Sequence, residues 1–452
     1  MDLKNKRVLV VGLGKSGVSA ALYLRGLGAR VTVSDARPSE ALAKEIPALL
    51  GAGVMVETGS HGVLTFRRQD LVVVSPGVPL TTPEIQQVMR MGVPVIGELE
   101  LASQALRGHT IAITGSNGKT TATSLMGHIL LHAGMPTQVG GNIGLPVVDL
   151  IAGSTDATWN VLEVSSFQLE TIDTFRPAIA AVLNITPDHL DRHGSLENYA
   201  AAKARITENQ TADDCLVLNA EDKPAQMVAA GTKAQIYWFS AVRRIKQGAF
   251  VHGEGIYFLA HEGGTPEPVM PVAQIPLRGA HNVENVLAAV AMARLAGVPA
   301  DQVRAAVASF QAVDHRLQFV AQVRGVDYYN DSKATNVDAT AKALASFDHG
   351  IHLILGGKDK GSNYAELLSL LQRRVACVYT IGTAAEKIEG QLKDHVKLEH
   401  AGTLADAVRL AAAAAVAGDT VLLAPACASF DQFDSYEDRG RVFVELVHGL
   451  PQ

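Results

Sequence analysis

Short runs of valine, isoleucine and leucine recur along this chain. Each breaks into a glycine- or aspartate-containing turn and then runs into an alanine-rich helical stretch. VLVVGLGKSG at residues 8–17, HTIAITGSNGKTT at 109–121 and IHLILGG at 351–357 show the pattern. An apolar strand that feeds a helix and then another apolar strand must cross over, so the alternation predicts βα units around parallel sheets. The runs fall into three sets, and 452 residues at roughly 150 per domain also suggest three domains. The expected boundaries are 1–97, 98–312 and 313–452, with a Gly-Val-Pro stretch at 91–97 as the first linker. Residues 235–278 alternate aromatics with glycines and predict a small antiparallel insert in the middle domain. Helices expected over 282–296 and 301–310 close that domain.

Composition narrows the function classes. With 48% hydrophobic and 19% charged residues the chain has ample material for several cores, which excludes a disordered scaffold. A formal net charge of −6 offers no basic field for wrapping nucleic acid, so none is expected as a partner. Apolar runs such as 410–418 fall well short of the roughly 20 residues that span a bilayer, and no export signal is legible. A cytoplasmic protein without membrane insertion is the expectation. The three cysteines are scattered and read as buried apolar residues.

The strongest local signal is the loop Gly115, Ser116, Asn117, Gly118, Lys119, Thr120 and Thr121 between a strand and an apolar helix. Glycines let backbone N–H groups converge on phosphate oxygens at a helix N-terminus, where the helix dipole adds positive charge. Lys119 can reach the terminal phosphates and the Thr120 hydroxyl can ligate Mg²⁺. The loop is a short variant, since Ile113 stands where the usual first glycine would be. Glu163 ends a later strand, where an acidic group can hold the same metal. His189 lies in a polar loop after another strand, which is where α/β sheets bind ligands. His193 and Lys203 read from spacing alone as a surface histidine and a solvated helix lysine.

Two further regions carry chemistry. Gly12, Gly14 and Gly17 match a dinucleotide fingerprint with Asp35 ending the next strand. They allow either a nicotinamide cofactor or a nucleotide-linked substrate. An NAD-dependent dehydrogenase would leave the glycine loop at 115–121 and the whole third domain unexplained, and a P-loop ATPase acting as a switch or motor predicts ATP turnover without any acceptor amino acid. Toward the C-terminus, NDSKATN (330–336), GGKDKG (356–361) and APACASFDQF (424–433) each follow a strand. Hydroxyls, lysines and small residues gathered there describe a pocket for a small carboxylate-rich molecule.

Taken together, GLGKSG, TGSNGKTT, NITPDHLDRH, GAHNVEN, DHR, NDSKATN, GGKDKG and APACASFDQF resemble the Mur ligases of peptidoglycan synthesis over essentially the full length. The resemblance implies a Rossmann-like N-terminal domain, a central P-loop ATPase-type parallel-sheet domain and a Rossmann-like C-terminal domain. It implies an ATP-dependent amide ligase that adds D-glutamate to UDP-N-acetylmuramoyl-L-alanine through an acyl phosphate, giving ADP and phosphate. The UDP end of that substrate would meet Gly14, Ser16, Gly17, Asp35, Arg37, Ser75, Pro76, Gly77 and Asn142. ATP would meet the Gly115–Thr121 loop together with Asn282, Arg316, Asp331 and Lys333. Two Mg²⁺ ions are implied, one on Thr120 and Glu163, the other on His189 and a carbamylated Lys203. D-glutamate would meet Thr335, Lys358, Ser429 and Phe430, with Tyr436 as a wall. Lys119, Glu163, His189, Lys203 and Lys333 are the implied catalytic set, in a monomer.

Overall fold

The computed structural model describes residues 2–311 and 313–451. Three sheets organise them. The first contains β1 (Arg7–Val11), β2 (Arg30–Asp35), β3 (Met55–Thr58), β4 (Leu71–Val74) and β5 (Val95–Gly97), all parallel, in the order β3-β2-β1-β4-β5. The stretch expected as a linker at 91–97 therefore ends in an edge strand of this sheet, because Val95 and Ile96 register against Val72 and Val73. The strand order reverses beside β1, so the loops after β1 and β4 diverge and open a crevice at the carboxyl end of the sheet.

The second sheet contains β6 (His109–Thr114), β7 (Thr137–Gly141), β8 (Trp159–Glu163), β9 (Ile179–Val182), β10 (Cys215–Asn219), β11 (Gln235–Ser240), β12 (Gly248–His252), β13 (Gly255–Leu259) and β14 (Glu267–Pro271). Its order is β14-β13-β12-β11-β10-β9-β6-β8-β7. The 235–278 region is not a separate insert. Strand β11 pairs parallel with β10, β12 pairs parallel with β11, and only β12, β13 and β14 are antiparallel to one another. Aromatic residues at alternate positions suit either pairing direction, so composition did not reveal that this region extends the main sheet.

The third sheet contains β15 (Gln318–Val323), β16 (Val326–Asn330), β17 (Ile351–Gly356), β18 (Val375–Ile381), β19 (Leu398–Gly402) and β20 (Thr420–Leu423). Its order is β15-β16-β20-β17-β18-β19, parallel except for the edge hairpin β15–β16. Buried clusters lie on both of its faces, one around Leu353, Leu355 and Leu422, the other around Ile354, Val421 and Leu423. This alternation follows from the two-residue period of a strand covered on both sides.

The chain forms two compact units. One comprises Met1–Val272 with Val286–Val307 and carries the first two sheets, and the other comprises Ala273–Asn285 with Ala308–Gln452 and carries the third. The helices Ala280–Leu295 and Ala300–Ser309 stand close to where the sequence placed them. Among the described residues no helix is long and apolar enough to cross a membrane.

Candidate active site

At the crevice of the first sheet the loop after β1 turns through Gly12 at φ +89° into the helix Lys15–Gly26. A Cβ on Gly17 would stand 1.9 Å from the Gly12 carbonyl oxygen, so only glycine lets this helix start so close to the loop. The resulting cleft has a volume of about 700 Å³, and Gly14, Ser16, Asp35, Arg37, Ser75, Pro76, Gly77 and Asn142 all line it. Gly17, expected as a binding residue, is absent from the lining and serves the packing of the turn.

Asp35 decides what this cleft can take. Its carboxylate accepts the Leu13 N–H at 2.7 Å, the Arg37 N–H at 2.9 Å, and the Arg37 side chain at 3.0 and 2.8 Å. Those four bonds use the acceptor capacity of a carboxylate. Burial would raise its pKa, but the bonds from Arg37 and Leu13 outweigh it and hold the group at about 2. A dinucleotide fingerprint needs an acidic side chain with room for ribose hydroxyls, and this one is saturated. The nicotinamide reading loses its main residue. His61 and Thr82 also line the cleft and were not singled out from sequence. His61 sits three residues beyond β3, so its place at a strand's carboxyl end was the available signal.

The second sheet gathers the loop after β6, Glu163 at the end of β8 and the loop after β9, three neighbouring strands. Gly118 caps the helix Lys119–His132 at φ +85°, a conformation that costs other residues steric strain. The Thr120 hydroxyl donates to Glu163 Oε2 at 2.7 Å, and the Asn142 amide donates to Glu163 Oε1 at 2.8 Å. Lys119 Nζ donates to the carbonyls of Gly115 and Ser116, both at 2.9 Å. The Asn184 side chain holds the loop from below, accepting the Asn117 N–H at 2.8 Å and donating to the Asn117 carbonyl at 3.0 Å.

Lys203 is not the solvated lysine its helix position suggested. Its side chain is 1% exposed. Nζ donates to the Gly115 carbonyl at 2.9 Å and lies 4.4 Å from the centre of the Tyr199 ring. Burial, reinforced by the Lys119 charge, pushes the amine well below its ordinary pKa. His193 is not a surface residue either. It is buried, with Nε2 3.0 Å from the Ser166 hydroxyl and Nδ1 3.4 Å from Glu170, and its ring stacks on Phe167. Both expectations failed for one reason: the helix Leu196–Ala204 reaches the Gly115–Ser116 turn through Lys203 and Tyr199, and Ser166 of another helix holds His193, contacts that spacing within a single helix does not reveal.

His189 adopts left-handed backbone at φ +52° and caps the short helix Leu190–His193. Its Nε2 stands 3.7 Å from Asp188 and its ring meets the edge of Phe167. Arg192, on the same short helix, donates to the carbonyls of Pro76 at 2.9 Å and Val78 at 3.3 Å, and pairs with Glu170 at 3.0 Å. The wall of the first cleft is thus tied to the segment that carries His189.

The donor set near Thr120 fits Mg²⁺. One carboxylate with a hydroxyl is the sparse, all-oxygen arrangement this ion uses when substrate phosphates and water complete its octahedron. Among the described residues no group of three or more His, Cys, Asp or Glu could hold a metal ion by itself.

In the second unit, the loops after β16, β20 and β17 lie side by side because those strands are neighbours. Lys358 and Ala428 exchange backbone bonds at 2.9 and 3.1 Å, and the Ala426 N–H bonds to the Ala334 carbonyl at 2.8 Å. Thr335, Lys358 and Ser429 are thereby brought onto adjoining loops, with Ser429 buried and Lys358 exposed. Phe430 is 69% exposed. Lys333 Nζ lies 3.6 Å from the centre of the Tyr436 ring. Asp331 accepts the Leu317 N–H at 3.2 Å, and burial pushes its carboxyl up to about 7 against the pull of Arg316. Asn282 is buried and bonded to Arg278 and Asn285.

Three family profiles cover most of the chain: Mur ligase MurD-like, N-terminal domain over residues 6–97, Mur ligase middle domain over 113–293, and Mur ligase, glutamate ligase domain over 315–427. A UDP-N-acetylmuramoylalanine--D-glutamate ligase of Acidobacterium capsulatum is 63% identical over 447 residues, spanning 99% of this chain and 97% of the relative. The chain belongs to the Mur ligase family. A ligase of the same name from Koribacter versatilis is 59% identical over 452 residues, covering 100% of this Mur ligase and 99% of the relative. The fold is also that of a UDP-N-acetylmuramate-alanine ligase from Thermotoga maritima, with a TM-score of 0.62 and 21% identity over 98% of this chain and 99% of that one. The three-domain α/β architecture expected from the motifs is thus the family's own.

Proposed function

We propose that this Mur ligase joins D-glutamate to UDP-N-acetylmuramoyl-L-alanine at the expense of ATP, in peptidoglycan synthesis. Its end-to-end 63% identity to a ligase of that name carries the reading. The saturated Asp35 carboxylate supports it, since the first cleft then suits a nucleotide-linked substrate better than NAD. We assign residues 1–97 to the UDP-substrate, 98–312 to ATP and 313–452 to the amino acid.

A carboxylate is a poor acyl donor, so the alanyl carboxylate must first take the γ-phosphoryl of ATP. The D-glutamate amine then attacks the carbonyl carbon, the carbon–oxygen bond to phosphate breaks, and the amine gives up a proton. The Gly115–Thr121 loop would offer its backbone N–H groups and Lys119 to the phosphates. Thr120 and Glu163 would hold Mg²⁺, and His189 with a carbamylated Lys203 would hold a second ion. Mg²⁺ bound there would draw negative charge off the phosphates and lower the repulsion between them and the attacking carboxylate. Lys203 suits carbamylation because a buried, neutral amine can add CO₂, whereas an ammonium cannot. Asn282, Arg316, Asp331 and Lys333 are assigned to ATP, and Thr335, Lys358, Ser429 and Phe430 to D-glutamate, on the family resemblance. Small-molecule substrates, a monomeric state and a cytoplasmic location complete the proposal.

The test is direct. The enzyme is incubated with ATP, Mg²⁺ and UDP-N-acetylmuramoyl-L-alanine and, in turn, D-glutamate, L-glutamate, L-alanine and a diamino acid, and phosphate is assayed. Release with D-glutamate alone is expected. Turnover with another amino acid, or with none, overturns the assignment.

A further inference from the structure

Arg439 is 0% exposed, in the helix Tyr436–His448. Its guanidinium bonds to two of the three loops that carry the residues assigned to the amino acid. Nε donates to the Ser332 hydroxyl at 2.9 Å and one terminal nitrogen to the Ser332 carbonyl at 2.8 Å. On the other loop the Cys427 carbonyl accepts from both terminal nitrogens at 3.2 Å, and Ala428 accepts from one at 3.4 Å. Ala428 is itself bonded to Lys358 on the third loop. Ser332 immediately precedes Lys333, and Ala428 immediately precedes Ser429.

No carboxylate among the described residues forms an ion pair with this guanidinium, whose partners are carbonyls and one hydroxyl. Burying an unpaired cation costs several kcal/mol even after carbonyl dipoles replace part of its hydration. Burial accordingly lowers its pKa to about 10. A planar fork is suited to hold carbonyls on two separate loops at once, which the single point of an ammonium cannot do. The nearby Asp431 has one oxygen buried without a partner and reaches Arg439 only through longer-range attraction. What this arrangement lacks is a close negative charge, and a dicarboxylate amino acid brings one.

We propose that Arg439 is a positioning residue for the acceptor amino acid. Its guanidinium fastens the Ser332 loop to the Cys427–Ala428 loop, and its unpaired charge sets the adjoining site toward an acceptor with a side-chain carboxylate. The proposal rests on the D-glutamate reading above. Failure of that reading is seen separately, as an unmodified enzyme that does not turn over D-glutamate.

The test separates geometry from charge. Arg439→Lys keeps the charge and loses the fork. Its KM for D-glutamate should rise about tenfold to a hundredfold, the worth of one or two charged hydrogen bonds, while KM for the UDP-substrate, whose assigned residues lie on other loops, stays within about twofold. Arg439→Met loses both, and its preference for D-glutamate over D-glutamine in kcat/KM should fall at least tenfold, whereas the lysine variant keeps that preference. Ser332→Ala removes one acceptor without touching the buried charge and decides the matter if neither arginine variant folds. It should raise KM for D-glutamate by about tenfold, the loss of one charged hydrogen bond, and leave KM for the UDP-substrate within about twofold. An unchanged KM for D-glutamate in a folded variant, or an equal rise for all three substrates, overturns the proposal.

Discussion

Glu98 opens the helix Glu98–Ser103 directly after β5 and is 1% exposed. One carboxyl oxygen accepts the Val148 N–H at 2.7 Å, while the other is buried without a partner. Burial, only partly offset by the Val147 and Val148 N–H groups and aggravated by Asp149, raises the carboxyl from an ordinary 4.5 to about 7. Between those two values the folded protein holds a proton that the unfolded chain has released. Stability from this group is therefore greatest below pH 4.5, declines as pH rises, and settles above pH 7 at a constant penalty. At about 1.4 kcal/mol for each tenfold change in proton affinity, the penalty is at most about 3.5 kcal/mol. Glu98→Gln keeps the acceptor for Val148 and cannot ionise. Urea unfolding of both proteins from pH 4 to 8.5 should show nearly equal midpoints at the acid end. The variant should gain steadily toward pH 8, by up to about 3.5 kcal/mol. A gap that stays flat with pH would refute the reasoning, as would a side-chain carbon resonance of Glu98 that titrates below 5.

Lys203→Ala should stay folded and lose about a hundredfold or more in turnover, with partial recovery when formate or acetate supplies the missing oxygens. A fully active variant excludes an anionic role for Lys203, and Lys203→Arg is expected to stay inactive because guanidinium keeps its charge. Asp35 is held at about 2, so its contribution is complete above pH 4 and lost as pH falls toward 2. Asp35→Asn should cost about 2 kcal/mol at pH 7 and nothing at pH 2, and should raise KM for the UDP-substrate. Substrate labelled with ¹⁸O in its alanyl carboxylate should deliver label to the released phosphate by mass spectrometry. Phosphate free of label would exclude the acyl-phosphate path.

Much of the fold was legible because its signals are local. A buried parallel strand declares itself as an apolar run, and the glycines of the 12–17 and 115–118 turns mark where a strand passes into a helix. The Thr120–Glu163 pair was legible too, since both residues end or follow neighbouring strands and sit at a fixed height on one sheet edge. Burial across the sequence was not legible. Lys203 lies 88 residues beyond the Gly115 carbonyl it bonds, and Arg439 lies 107 beyond Ser332, so no window of sequence contains either contact. His193 was misjudged for the same reason. The Asp35–Arg37 pair is a different case. The two residues are adjacent enough to have suggested an ion pair, and treating Asp35 as a ribose ligand hid it.

Asn142 faces the cleft of the first sheet and also holds Glu163, the partner of Thr120 at the start of the helix Lys119–His132. A side chain answerable to two sites has little room to drift. A lineage under selection from a compound lodged in the cleft could shed that compound by altering position 142 only by releasing Glu163 as well. Escape should therefore accumulate at lining positions that hold nothing of the second site, such as His61 or Thr82. Compounds that lean on Asn142 should hold their potency longest.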